Sequence, residues 1–270
     1  MAPSPVTPPP RPTSRLSDGA VLRTALVTWG RHLASFSVLS LVLVAAPPVL
    51  LLRRAEEGGA RFAASVLVFA LLRLHAGAVT AGALRAVRNG RLAPLPDLLL
   101  AGVGACWRLI ELWFHAYWLP LVAASLTAAA VMALASATDT LGPGTLPLAA
   151  VCGLAAAAWP LMRVFTADAV ALAEPELSSG QAVQRSAALA RGRFAGLATV
   201  WLVASLKDAG LLFGIPLALR LPEAQRQPAL FVLAAAWALL TTFDRIAGAA
   251  AYDALRKDKS EEERELRRVA

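Results

Sequence analysis

Six apolar stretches, each long enough to cross a lipid bilayer, occupy most of this 270-residue chain. They lie near residues 33–52, 62–84, 112–136, 145–173, 195–219 and 228–253. A helix needs about 20 apolar residues to cross the hydrocarbon layer. Alanine and leucine dominate these stretches without strict alternation, which favours helices over barrel strands. The sequence therefore predicts an all-α fold, a polytopic transmembrane bundle of six spanning helices.

The distribution of charge predicts the orientation of this bundle. Lysine and arginine are concentrated in the N-terminal region, in the loops after the second and fourth spans, and in the C-terminal tail. The opposite loops hold Arg53, Arg54, Arg61, Arg220 and Arg226. The positive-inside rule then predicts that both termini lie in the cytoplasm. The protein is accordingly expected in the inner (plasma) membrane of the cell. The net charge of +8 is explained by topology and by attraction to anionic headgroups, so nucleic acid is not an expected partner.

The two ends of the chain differ from the membrane domain between them, which is predicted at 15–256. Residues 1–14 are rich in proline and show no periodic apolar pattern, so they are predicted to be a disordered tail. A cleaved signal peptide is not expected, because the first apolar run begins only after Arg31 and is as long as a full span. Residues 257–270 mix both signs of charge and are predicted to be a helical cytoplasmic tail.

Two short signatures occur twice and predict an internal repeat. The pattern V-x-R-T-A-x4-G-R at 21–31 is matched by V-x-R-S-A-x4-G-R at 183–193. The pattern A-G-A-x4-A-L-R at 76–85 returns at 247–256, and the middle of the chain keeps only Ala167-x-Ala169. We therefore predict three two-helix units, at 15–92, 93–176 and 177–256. Each would open with an interfacial helix, near 19–31, 98–108 and 179–191.

Local signals sharpen the third of these interfacial helices. Ser178-x-x-Gln181 is a capping box at its start, and Gly192 is a C-cap at its end. Small residues near the end of the second span, among them Gly77 and Gly82, should let a neighbouring helix approach closely.

The sequence of the third unit resembles a known family. Residues 180–194 resemble the G-x-A-x-x-R-S-x-x-L-x-x-G-R-F segment of bacterial polytopic proteins grouped with the membrane domain of glycerophosphoryl diester phosphodiesterases. The closing segment 251–256 is similar to that group's Y-x-D-L-R, although Asp253 stands one place early, and Glu174 matches an acidic residue usually found before the glycine. The resemblance implies six spans with both ends inside and little about function. No catalytic domain follows the membrane part, so phosphodiesterase activity is not expected.

Ionisable residues inside the spans are the first candidate site. They form a candidate polar layer of Arg73, Arg163, Asp168, Lys207, Asp208, Asp244 and Arg245. Each costs about 2.5–3.5 kcal/mol to insert, so they should face the bundle interior and pair. The three arginines stand about a turn before the Ala-x-Ala elements, which predicts a similar depth for them. Two interpretations stay open, an ion-pair network that fixes helix register and a polar cavity or solute path near the midplane.

The cytoplasmic arginines are the second candidate site. Contacts to anionic lipid, or to a membrane-protein or cytosolic partner, are predicted for Arg23, Arg31, Arg185, Arg191 and Arg193. A homo-oligomer is a further possibility. No cofactor, metal site or catalytic residue is predicted. Glu111 and His115 share one helix face, but three histidines in the whole chain do not supply a usual metal cluster.

The sequence thus favours an integral membrane protein without enzymatic activity, a scaffold or a factor in envelope or membrane homeostasis. The alternative is a transporter or lipid-binding protein that uses the intramembrane charges. A membrane-embedded enzyme is the weakest option, because no nucleophile elbow, phosphate loop or Cys-x-x-Cys pattern is present.

Overall fold

The structure is a computed structural model that describes residues 18–45, 58–140, 142 and 145–269. The described residues form helices and no strand, which confirms the all-α prediction. The predicted tail at 1–14 and the outer end of the first predicted span lie outside them. The helices are α1 (Asp18–Arg31), α2 (Leu33–Ser40, followed by a π-helical turn, Leu41–Ala45), α3 (Gly58–Asn89), α4 (Leu95–Ala137), α5 (Thr145–Val164), α6 (Ala167–Ala173), α7 (Ser179–Ala190), α8 (Phe194–Leu219) and α9 (Glu223–Val269).

The described helices agree with a multi-pass membrane protein. Five segments are long and apolar enough to cross a bilayer: Phe62–Asn89, Leu95–Ala137, Val151–Ala173, Phe194–Leu219 and Glu223–Glu261. A sixth span results if α1 and the helix after it, which bend by 77° at His32, are counted as one broken segment. The described part of the chain is therefore that of a helical, multi-pass membrane protein with five or six candidate spans.

Local sequence explains where some helices begin and end. At the start of α7, the Ser178 side chain accepts a hydrogen bond from the Gln181 backbone N–H at 3.3 Å. The Gln181 side chain accepts one from the Ser178 N–H at 2.8 Å, so the predicted capping box is confirmed. Gly192 follows this helix with a φ of +82°, a left-handed conformation that suits glycine. The predicted helix end at Gly192 is confirmed.

The prediction of a separate helix at 98–108 is wrong. Residues 95–137 form a single helix of 43 residues that starts after Pro94. Between Arg108 and Leu112 the chain holds only leucine, isoleucine and glutamate, with no glycine or proline to stop the helix. The corresponding place in α7 has Gly192, which is why that helix ends.

The predicted fourth span is interrupted between α5 and α6. Ser186 Oγ of α7 donates to the Arg163 carbonyl oxygen at 3.0 Å, and it lies 2.9 Å from Thr166 Oγ1. A side chain on another helix thus satisfies a backbone carbonyl that the break leaves without its helical partner. Gly248 of α9 faces the same break, because a Cβ built there would lie 3.2 Å from the Phe165 oxygen.

Helices α3, α6 and α9 meet in the core of the bundle, where they are in mutual contact. Three other helices pack around them: α1 against α9, α4 against α3, and α7 against α6. Gly77 makes the predicted close approach, since a Cβ there would lie 3.1 Å from the Gly102 Cα. The Ala-x-Ala elements of α3, α6 and α9 are buried in this core.

Candidate ligand-binding cavity

A cavity of about 670 Å³ opens between α3, α4, α5, α8 and α9. Its lining is mainly apolar and includes Trp113, Trp201 and Trp237. Five charged residues also line it: Arg73, Lys207, Asp208, Asp244 and Arg245. The volume falls within the range of about 300–1,000 Å³ that is typical of small-molecule sites, and an apolar wall with a few convergent polar groups is their usual composition.

An ion pair ties α6 to α9 beside this cavity. Arg245 Nη1 donates to Asp168 Oδ2, and both side chains are largely buried. Asp168 lies just after the break between α5 and α6, so the break is what brings its carboxylate to α9. Its charge is thereby neutralised within the protein, as insertion into a bilayer requires.

A second group of charges ties α8 to α9. Lys207 Nζ lies 2.9 Å from Asp208 Oδ2 and 3.4 Å from Asp244 Oδ2. Trp237 Nε1 donates to Asp208 Oδ1 at 2.9 Å. The Lys207 side chain is buried, whereas Asp208 is exposed at the rim of the cavity. Lys207 is therefore held between two carboxylates.

Arg73 differs from the other cations of the cavity. It is only 9% exposed, yet its Nε and Nη1 atoms have no hydrogen-bond partner among the described residues. Its guanidinium carbon lies 5.4 Å from the centre of the Phe69 ring, and its charged neighbours are Arg245 and Asp168. A buried guanidinium without hydrogen-bond acceptors is expensive, because desolvation of its N–H groups is not compensated.

The structure places six of the seven predicted intramembrane charges in or beside the cavity. Arg163 stands apart: its side chain is exposed, and it does not line the cavity. The reason is its place before the break, where α5 ends, while Asp168 lies beyond the break. The predicted layer of three arginines is thus reduced in the structure to two that line the cavity, Arg73 and Arg245.

Two polar neighbours of the cavity carry no charge, Ser40 and Trp237, and the sequence did not predict them. Ser40 Oγ of α2 lies 3.0 Å from His75 Nε2 and 2.9 Å from the Phe36 carbonyl oxygen, and all of these groups are buried. Trp237 stands within an apolar run and donates a hydrogen bond to a cavity carboxylate. Neither Ser40 nor Trp237 has a sequence signal that separates it from other serines and tryptophans within apolar runs.

Glu111 and His115 lie outside the cavity. His115 Nε2 is 3.9 Å from Glu111 Oε1, both side chains are about half exposed, and Ser179 Oγ donates to Glu111 Oε2 at 3.0 Å. In the part of the chain that the structure describes, no three or more His, Cys, Asp or Glu side chains are grouped as a metal site requires.

The predicted interfacial arginines fall into two groups at one end of the bundle. Arg185 Nε lies 3.4 Å from Glu174 Oε2, and Arg193 pairs with Asp258 of α9. Arg185 is nevertheless 44% exposed, and Arg23, Arg31 and Arg191 are exposed as well. Arg185 and Arg193 are therefore neutralised by carboxylates of the protein, and the other three are the better candidates for contact with lipid or a partner.

Glu174 is the centre of a wider network at this end. Tyr252 of α9 donates its hydroxyl hydrogen to Glu174 Oε1 at 2.8 Å. Arg108 of α4 donates to the backbone carbonyls of Glu174 and Pro175, at 3.2 and 3.1 Å. The acidic residue and the tyrosine that carried the family resemblance thus hold α4, α6, α7 and α9 together.

Comparison with known protein families, with curated proteins and with solved structures finds no match.

Proposed function

We propose that this protein binds an amphiphilic ligand, a lipid or a lipid-like solute, in the cavity between α3, α4, α5, α8 and α9, without enzymatic activity. The observation that carries the proposal is the unpartnered, buried Arg73 guanidinium in the wall of an otherwise mainly apolar cavity. A scaffold needs neither the cavity nor a buried cation without hydrogen-bond acceptors. A ligand-binding protein uses both.

A membrane scaffold is the second candidate function. It is favoured by the pairs Asp168–Arg245 and Lys207–Asp244, each of which joins two helices and needs no ligand. Paired charges of this kind can serve to fix helix register. They account for Arg245 and Lys207 but leave Arg73 without a role.

The proposal includes location, orientation and internal symmetry. We place the protein in the cell inner membrane with both termini in the cytoplasm, which is supported by the concentration of exposed arginines at the end that holds Arg31, Arg91 and Arg191. Three repeated units are supported by a cyclic pattern of contacts, in which α1 packs on α9, α4 on α3 and α7 on α6. The first helix of each unit would then pack on the last helix of the unit before it, and α1 of the first unit would pack on α9 of the third. We also propose that the chain belongs to the family that its sequence resembles, the bacterial polytopic proteins grouped with the membrane domain of glycerophosphoryl diester phosphodiesterases. The same arrangement is consistent with that membership.

Native mass spectrometry of the protein released from its own membrane in mild detergent tests this function. The wild-type chain should retain a small molecule at fixed stoichiometry. Ala158 lines the cavity, so Ala158→Trp should fill it and lose that molecule. Leu148, on the same helix, is 56% exposed, so Leu148→Trp is the matched control and should keep it.

Two results would contradict ligand binding in the cavity. One is a wild-type chain that carries no small molecule, and a retained protein partner in that case would support the scaffold. The other is an Ala158→Trp variant that keeps the ligand at wild-type stoichiometry. Thermal unfolding followed by circular dichroism shows whether both variants are folded before their spectra are compared.

A further inference from the structure

The head group of the ligand follows from the hydrogen-bonding groups that the cavity leaves without partners. Among the described residues that line it, three fully buried side-chain atoms have no hydrogen-bond partner: Arg73 Nε, Arg73 Nη1 and Arg245 Nε. All three are N–H donors of guanidinium groups. Because Arg73 lines the cavity, a ligand that meets its guanidinium has to bring hydrogen-bond acceptors, and preferably negative charge.

The charges of the other lining residues narrow the choice further. Asp208 and Asp244 hold Lys207, and Asp168 holds Arg245, so these carboxylates already have cationic partners. Arg73 is the cation of the cavity for which the described residues supply no hydrogen-bonding carboxylate. The three cations and three carboxylates balance in number, but two of the carboxylates lie on Lys207. A head group with a single negative charge would therefore provide Arg73 with a partner.

From this geometry we infer that the ligand is an amphiphile with a monoanionic acid head group, a carboxylate or a phosphate diester, whose oxygens accept hydrogen bonds from the Arg73 guanidinium. The inference rests on the proposed function, because it names the ligand class of the same cavity. A guanidinium presents paired, parallel N–H groups in a planar fork that fits two oxygens of one acid group. The apolar chain of the ligand lies against Leu72, Trp113 and Leu202.

The tryptophans of the cavity provide a direct readout. Trp113, Trp201 and Trp237 line it, and bromine quenches indole fluorescence at short range. The protein is placed in nanodiscs of zwitterionic lipid and titrated with three probes of equal chain length: ω-brominated undecanoate, the matching undecyl methyl phosphate, which is a monoanionic diester, and the matching undecyl trimethylammonium. An acid probe should give saturable quenching, and the ammonium probe should give only the linear quenching of a chain dissolved in the bilayer. The stronger of the two acid probes identifies the head group as carboxylate or phosphate.

Three variants connect the binding to Arg73. Arg73→Gln should weaken the acid probe about 10–100-fold, because a charge-assisted pair of hydrogen bonds is lost. Arg73→Lys keeps the charge without the planar fork and should fall between wild type and Arg73→Gln. Arg163→Gln removes an exposed intramembrane arginine outside the cavity and should bind as wild type does. If Arg73→Gln does not fold, the lysine variant still decides whether the fork matters.

The outcomes distinguish a wrong head-group class from the absence of a ligand-binding site. Unchanged acid-probe affinity in both folded Arg73 variants would overturn the head-group assignment and leave ligand binding intact. Saturable binding of the ammonium probe, with the same affinity as the acid probes, would also overturn the head-group assignment and leave ligand binding intact. If none of the three probes saturates while the wild-type chain retains its own small molecule in native mass spectrometry, the head-group class is wrong. A bare chain in that measurement contradicts the proposed function itself.

Discussion

Helices α3 and α9 carry the same signature and the same kind of side chain ahead of it, but their surroundings differ. Arg73 precedes Ala76-Gly77-Ala78 in α3, and Arg245 precedes Ala247-Gly248-Ala249 in α9. Arg245 is paired with Asp168, whereas Arg73 Nε and Nη1 have no hydrogen-bond partner among the described residues. The two copies of the signature therefore differ in electrostatics, although both are buried in the same core.

The helices opposite them account for this difference. Gly248 of α9 faces the break between α5 and α6, and the chain beyond that break delivers Asp168. Gly77 of α3 faces Gly102 in the uninterrupted helix α4, which presents small residues and no carboxylate at that point. A break in the middle of the chain thus supplies a counter-ion to Arg245, and Arg73 receives none of this kind from α4.

The largest effect is expected from removing the counter-ion of α9. Asp168→Asn would remove the carboxylate charge that pairs with Arg245, and loss of one member of a buried pair lowers the free energy of unfolding by about 3–5 kcal/mol. The double variant Asp168→Asn/Arg245→Gln should recover part of that loss, because no unpaired buried charge remains. Unfolding in mixed micelles by a denaturing detergent measures both. A single variant no less stable than the double variant would show that the uncompensated charge of Arg245 costs little, and one as stable as wild type would show that the pair contributes little.

An intermediate effect is expected at the seam between α3 and α4. A Cβ built on Gly102 would lie 2.6 Å from the Leu74 carbonyl oxygen, so Gly102→Ala forces two backbones apart. Overpacking of this kind lowers the free energy of unfolding by about 1–3 kcal/mol. A Cβ built on Gly104, two positions along the same helix, would meet no atom of a neighbouring helix within 4 Å.

Gly104→Ala is therefore the matched control for this seam, and it should be neutral or slightly stabilising, since alanine favours the helix over glycine. The same unfolding assay compares the two variants. Equal stability of Gly102→Ala and Gly104→Ala would mean that α3 and α4 are less closely packed than the structure indicates. A larger loss for Gly102→Ala confirms the close approach.

The sequence was informative where structure depends on local chemistry. Apolar length predicted the helices, Ser178 and Gln181 predicted the capping box, and Gly77 predicted a close helix contact. The break before Asp168 was not predictable, because it is stabilised by a hydrogen bond from Ser186, more than twenty positions away along the chain. The same limit applies to the site: charge marked Arg73 and Arg245 as candidates, but which of them has a partner depends on long-range packing.

The smallest effect is expected at Tyr252 of α9, a position that is Ala81 in the matching signature of α3. Tyr252 donates to Glu174, which also pairs with Arg185. Glu174→Ala leaves the mostly buried Tyr252 hydroxyl without its acceptor, a loss of about 1 kcal/mol in the free energy of unfolding. The ion pair adds little, because the Arg185 side chain is 44% exposed.

Glu176→Ala removes an exposed carboxylate two positions away and should unfold at the wild-type temperature. If Tyr252→Phe abolishes the difference between Glu174→Ala and its control, the tyrosine hydroxyl is the group through which Glu174 stabilises α9. If the difference persists, the effect comes from the ion pair of Glu174 with Arg185. The hydroxyl that distinguishes α9 from α3 at this position then contributes little to stability.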